Sequence, residues 1–174
     1  GWERPNFFVR KNNRTAEALT FEKPKWFDCV GEEHTAVRER VALIDQTSFS
    51  KFRISGPGAL DLLQYLAVSN IDKPIGKIIY TQFLNSRGGI EADLTISRTG
   101  EEEFYIVTGS AFGVHDRSWI EKHSHRDSSV VIDDLTEEIG VINLCGPYAR
   151  DVLQNVTDDD ISNEALPFSS YADI

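Results

Sequence analysis

One short pattern occurs twice in this chain. Gly56-Pro57-Gly58-Ala59-Leu60-Asp61-Leu62-Leu63-Gln64 returns 90 residues later as Gly146-Pro147-Tyr148-Ala149-Arg150-Asp151-Val152-Leu153-Gln154, with six of nine positions identical. Each copy follows an apolar run and opens a stretch with helical spacing. Proline suits the first helical turn, where its missing N–H leaves nothing unsatisfied. The glycine ahead of it permits a sharp strand-to-helix corner. A corner used twice predicts two related strand–helix units, arranged about a pseudo-twofold axis.

The rest of the chain fits that frame. Helical patterns cover Glu32 to Val41, Gly58 to Leu66, Phe112 to His123 and Tyr148 to Val156. Strand patterns cover Phe49 to Ser55, Lys77 to Leu84, Ile90 to Ser97, Phe104 to Thr108, Val130 to Ile132 and Val141 to Cys145. Asn85-Ser86-Arg87-Gly88-Gly89 between two of the strands is a hairpin signal. Hairpins without regular βαβ glycine signals predict an α+β fold with mixed or antiparallel sheets, not a doubly wound parallel sheet.

Length and charge narrow the function. The 174 residues suit one domain or two small ones. The formal net charge is −10, and between Asp133 and Ile174 Arg150 is the only base. That balance argues against a nucleic-acid partner, which needs basic patches. No apolar run approaches the ~20 residues that span a bilayer, so no membrane is expected. Residues 1–30 read as an irregular arm or linker from a preceding domain, and 31–174 as a domain truncated at its C-terminus. Gly1 stands where no initiator Met is present, and no signal peptide pattern follows. A piece of a longer polypeptide is the expectation.

Several chemical motifs can be set aside. Gly56-Pro57-Gly58 and Gly88-Gly89 match neither nucleotide-binding glycine pattern, so they read as turns. Asp158-Asp159-Asp160 lacks the spacing and glycine of a calcium loop. His123 and His125 have no third ligand nearby, so no metal is expected. Two cysteines, Cys29 and Cys145, make no disulfide framework. Cys145 falls in an apolar strand and reads as an inert thiol.

The hairpin from Tyr80 to Leu94 is the informative segment. In its second strand Ile90, Ala92, Leu94 and Ile96 point one way, and Glu91, Asp93, Thr95 and Ser97 the other. Asp93 is a carboxylate in mid-strand, where Asp is disfavoured. Two readings stand at this point: a solvent-facing Asp, or a fixed carboxylate at the wall of a pocket.

The run from Tyr80 to Arg98, Asp45-Gln46-Thr47-Ser48-Phe49 and both Gly-Pro turns together resemble the folate-binding domain of the glycine-cleavage T-protein (aminomethyltransferase) family. Gly1-Trp2-Glu3-Arg4-Pro5-Asn6-Phe7-Phe8 and Trp119-Ile120-Glu121 resemble more particularly the dimethylglycine and sarcosine dehydrogenases, which carry a flavin domain before a T-protein-like one. The resemblance implies that this chain is the first part of the aminomethyltransferase folate-binding fold. It implies Asp93 as the catalytic carboxylate, Tyr80 as an aromatic lining the folate, Phe49 as an apolar folate contact and Phe112 as a looser match. It implies tetrahydrofolate as cofactor, with FAD held by a flavin domain of the same parent chain and not by this segment. A later Glu and Arg of the family's folate site fall beyond Ile174, so this chain alone is expected to bind folate weakly or not at all and to be inactive. The compartment implied is the mitochondrial matrix in a eukaryote and the cytoplasm in a bacterium.

That resemblance carries a reaction. The flavin part oxidises an N-methyl amine to an electrophilic iminium, and a folate amine held nearby converts it to 5,10-methylenetetrahydrofolate. A carboxylate is a suitable acceptor for the released proton and stabilises the cation. A stand-alone aminomethyltransferase is the alternative, and a non-catalytic regulatory relative of the same fold is a third reading.

Overall fold

The computed structural model describes residues 2–8, 19–124 and 129–174. The chain divides into two compact units, Gly1–Asp45 with Ile142–Asp158, and Gln46–Val141 with Asp159–Ile174.

The larger unit is a five-stranded antiparallel sheet with helices. Its strands are β2 (Ser50–Ser55), β3 (Ile78–Leu84), β4 (Ile90–Arg98), β5 (Glu103–Thr108) and β6 (Val131–Asp134), in the order β3-β4-β5-β2-β6. Its helices are α2 (Ala59–Leu66) and α3 (Gly113–Ser124). Leu62, Leu63 and Leu66 of α2 and Ile120 of α3 pack on Phe52, Ile54, Leu94, Ile96, Phe104 and Ile106 from the sheet. The period-2 alternation of the strands sends these apolar side chains to one face. Asp93, Thr95, Tyr105, Val107 and Arg53 fall on the other.

The smaller unit holds α1 (Phe27–Glu39), β1 (Ala42–Asp45), β7 (Ile142–Cys145) and α4 (Ala149–Leu153). β1 and β7 pair antiparallel, Ala42 opposite Cys145. In the N-terminal arm Phe7 stacks on Trp26, 5.9 Å between centroids.

The two Gly-Pro corners are built alike. Ser55 ends β2 opposite Val131, the first residue of β6; Cys145 ends β7 opposite Ala42, the first residue of β1. Gly56 and Gly146 then turn with φ of 108° and 119°. In both, the glycine carbonyl accepts the amide of the residue that opens the helix, Ala59 at 2.9 Å and Ala149 at 3.1 Å. In both, the entry to the partner strand crosses the corner so closely that no side chain fits. A Cβ on Gly56 would lie 1.9 Å from the Ser129 carbonyl oxygen, and one on Gly146 2.5 Å from that of Arg40. Ser129 and Arg40 each lie two residues ahead of the partner strand, so the repeat preserves this crossing as well as the turn. The expected pair of strand–helix units and the α+β class are what the chain forms.

Four details differ from the sequence reading. α1 begins at Phe27, inside the expected arm, because Pro24 starts a turn in which its carbonyl accepts the Phe27 amide at 3.0 Å. β1 was not expected; it is four residues long, and its partner lies some hundred residues away. Ile90 is 68% exposed where an inward side chain was expected. A register shift is the reason: Phe83 pairs with Ala92 but Leu84 with Ile90, leaving Glu91 as a bulge. Ser97 is buried where the alternation placed it outward. Residues 9–18 of the arm and His125 lie outside the described residues. His123 sits in the last turn of α3, its Nδ1 2.7 Å from the Trp119 carbonyl. Among the described residues no helix is long and apolar enough to cross a membrane.

Candidate functional site

The hairpin of β3 and β4 sets the site. Asn85 closes its turn: the Asn85 carbonyl accepts the Gly88 amide, and its side-chain oxygen accepts the amides of Arg87 and Gly89 at 2.9 and 3.0 Å. Gly88 has φ 79°, which glycine adopts freely. The turn fixes the register, and the register places Gln82 opposite Asp93 and Tyr80 opposite Thr95.

Asp93 is exposed on this strand and held from one side. The Gln82 amide donates to Asp93 Oδ1 at 3.0 Å. Tyr80 pairs with Thr95, two residues along from Asp93 and on the same face; interaction with the Asp93 carboxylate, then desolvation, holds its phenol above the ordinary pKa. Tyr80 itself is 64% exposed. The Gln82 donor is neutral. Among the described residues no Lys, Arg or His lies within ion-pair distance of Asp93. The carboxylate is therefore oriented without being neutralised.

The sheet register locates the other expected residues. Ser50 pairs with Thr108, Thr108 with Leu94 and Leu94 with Thr81. Phe49, one residue before Ser50, thus lies at the same end of the sheet as Asp93. Phe112 follows Thr108 through a short turn and reaches that end too. Its ring folds over Gly109, where a Cβ would come within 3.1 Å. Phe49 is half-buried and Phe112 exposed. Asp93 and Tyr80 are brought together; among the described residues Phe49 and Phe112 make no ring contact with Tyr80.

Glu91 does not stand free beside Asp93. Its bulge turns it to the turn and to α3, where it accepts from the Asn85 amide at 2.8 Å and lies 3.4 Å from His115 Nε2. Gln82, His115 and Asp116 were not picked out by sequence reasoning. Gln82 could have been found by counting back from the turn to the residue facing Asp93. The helix residues carry no such local signal.

The model of the GCVT N-terminal domain family matches residues 1–174. The chain is 38% identical to mouse mitochondrial dimethylglycine dehydrogenase over 169 residues, 97% of this chain and 19% of that protein. It is also 38% identical to the mouse mitochondrial pyruvate dehydrogenase phosphatase regulatory subunit over 162 residues, 90% of this chain and 18% of that protein. The glycine cleavage system aminomethyltransferase T from Bartonella henselae has a similar structure, with TM-score 0.63 and 27% identity over 71% of this chain and 34% of that one. The chain thus spans about a fifth of the length of these two curated relatives.

Proposed function

The chain belongs to the GCVT N-terminal domain family, and from that premise we propose that it is the tetrahydrofolate-dependent one-carbon-transfer module of a flavin-linked dimethylglycine or sarcosine demethylase. The observation that carries this reading is Asp93: an exposed carboxylate, held by the Gln82 amide, with the Tyr80 phenol on the same face and no cation paired to it among the described residues. Such a group suits a ligand that brings an amine N–H and, during reaction, a positive charge.

The residues present fit a reduced folate. Asp93 offers a charged acceptor, Tyr80 an exposed ring beside it, and Phe49 an apolar surface at the same end of the sheet. The folate, when bound, supplies a nucleophilic amine. Asp93 accepts the proton that amine releases, and its charge favours a cationic iminium at the site. Gln82 holds Oδ1 and so fixes the direction in which the carboxylate takes the proton. Tyr80 packs against the flat ring. The flavin chemistry and the remaining folate contacts belong to other parts of the parent protein, so the isolated chain is proposed to be inactive.

A test addresses the ring. An aromatic contact contributes about 0.5–1.5 kcal/mol beyond the area it buries, so Tyr80→Ala weakens tetrahydrofolate binding to the full-length protein by up to roughly tenfold. Flavin reduction by the amine stays unchanged. Equilibrium binding checks this, and an unaltered dissociation constant removes Tyr80 from the site.

A second reading has one specific support, the 38% identity to a regulatory subunit. On that reading the fold would serve a regulatory role without turnover. Retention of an unpaired, oriented Asp93 favours the catalytic module.

A further inference from the structure

A chain of polar contacts links α3 to the bulge beside Asp93. Thr108 on β5 donates to Asp116 Oδ2 at 2.5 Å, and Asp116 is 1% exposed. The other Asp116 oxygen lies 2.9 Å from His115 Nδ1. The far nitrogen of the same imidazole lies 3.4 Å from Glu91 Oε2. Glu91 Oε1 accepts from Asn85, the residue that closes the hairpin turn. One ring thus joins a buried carboxylate on the helix to a carboxylate in the bulge.

The two carboxylates favour the charged form of the ring. A neutral imidazole has one N–H and can donate to one carboxylate only. An imidazolium donates to Asp116 and also carries a positive charge 3.4 Å from Glu91. Among the described residues Asp116 on α3 and Glu91 on β4 are the charged groups that face His115. Hydrogen bonding to Asp116, then the charges of Asp116 and Glu91, outweigh the partial burial and hold the His115 pKa above its ordinary value.

Asp93 lies two residues beyond Glu91 on the same strand. A bulge adds a residue to one strand and locally re-aims the side chains around it. Its geometry is soft unless something holds it, and here Asn85 and His115 hold it from two sides.

We propose that His115 is a positioning residue: as an imidazolium it clamps Glu91 to Asp116, fixes the β4 bulge and thereby aims Asp93. The proposal rests on the reading of Asp93 as the reacting carboxylate. The clamp is closed below the ordinary histidine pKa and opens as pH rises through the raised one. Any stability it adds follows the same course.

The test follows one reporter across that transition. The Gln82 side-chain amide is bonded to Asp93 and carries its own NMR signal. In the 174-residue chain the His115 ring protons and the Gln82 side-chain amide are titrated together from pH 5 to 9. The expected result is one shared midpoint, and loss of the Gln82 step in His115→Gln, whose amide keeps a neutral donor near the Nε2 position. In Glu91→Gln the His115 midpoint falls. A Gln82 step that persists in His115→Gln overturns the proposal, as does a Gln82 signal that stays still while His115 titrates. Because no folate is present, failure of the folate reading leaves this result untouched. With the full-length protein, methylene transfer to tetrahydrofolate should fall about tenfold through the same midpoint, since small misplacement of a reacting group is costly. His115→Gln should flatten that profile, whereas a residue that merely supports the fold would leave its shape unchanged.

Discussion

On the proposed function, Asp93→Asn in the full-length protein is expected to lower methylene transfer to tetrahydrofolate by roughly 10²–10⁴-fold, the usual contribution of a general base. The change keeps the side chain's size and lets an amide oxygen still accept from Gln82. It removes the charge and the basicity. Because Asp93 is exposed and forms no ion pair, the fold should change by no more than about 0.5 kcal/mol. Flavin reduction by the amine continues at its former rate, and formaldehyde appears in place of the folate product. Glu91→Gln is a poor control, since Glu91 ties the bulge to Asn85 and His115. Glu101→Gln removes the same charge from an exposed loop and should leave transfer intact. Product analysis after one turnover checks both variants. Equal folate product from Asp93→Asn and the unaltered protein contradicts the assignment.

The largest expected loss of stability comes from Gly56→Ala. A Cβ there meets the Ser129 carbonyl oxygen at 1.9 Å, and φ of 108° is unfavourable for any L side chain. Overpacking typically costs about 1–3 kcal/mol and a strained backbone about as much again, so a loss of about 2–6 kcal/mol is expected. That is a large part of the ~5–15 kcal/mol that holds a domain together. The neighbouring strand cannot retreat without breaking the β2–β6 pairing at Ser55 and Val131. Gly146→Ala strikes the equivalent corner of a two-stranded sheet, so its damage should be confined to the smaller unit. Hydrogen exchange separates the cases: Gly56→Ala loses protection across β2, β5 and β6, and Gly146→Ala only across β1 and β7. Equal thermal midpoints for Gly56→Ala and the unaltered chain would refute the account of the corner.

The repeat made the architecture legible because its glycine and proline carry local backbone demands. The hairpin was legible because Asn85 and Gly88 specify a turn, and the turn specifies a register. β1 was hidden because four residues carry little periodic signal and their partner lies far along the chain. The inward direction of Ile90 failed because a bulge reverses side-chain parity, and no residue type announces a bulge at Glu91. The same limit applies to the site. Asp93 and Tyr80 stand out by residue type and family resemblance, and Gln82 follows from the register. The His115 clamp depends on where α3 packs. That packing is set by Gly113, where a Cβ would lie 2.0 Å from Ser50 Oγ, and a lone glycine at a helix start does not reveal what it is pressed against.

Carbon tracing tests the proposed function most directly. The full-length protein is given a dimethylglycine or sarcosine substrate with ¹³C in the N-methyl group, with and without tetrahydrofolate, and the label is located by NMR. If this chain houses the one-carbon acceptor site, added folate moves the label from formaldehyde into the bridging carbon of 5,10-methylenetetrahydrofolate faster than free formaldehyde condenses with folate in solution. A label that reaches folate only at the solution rate would contradict it.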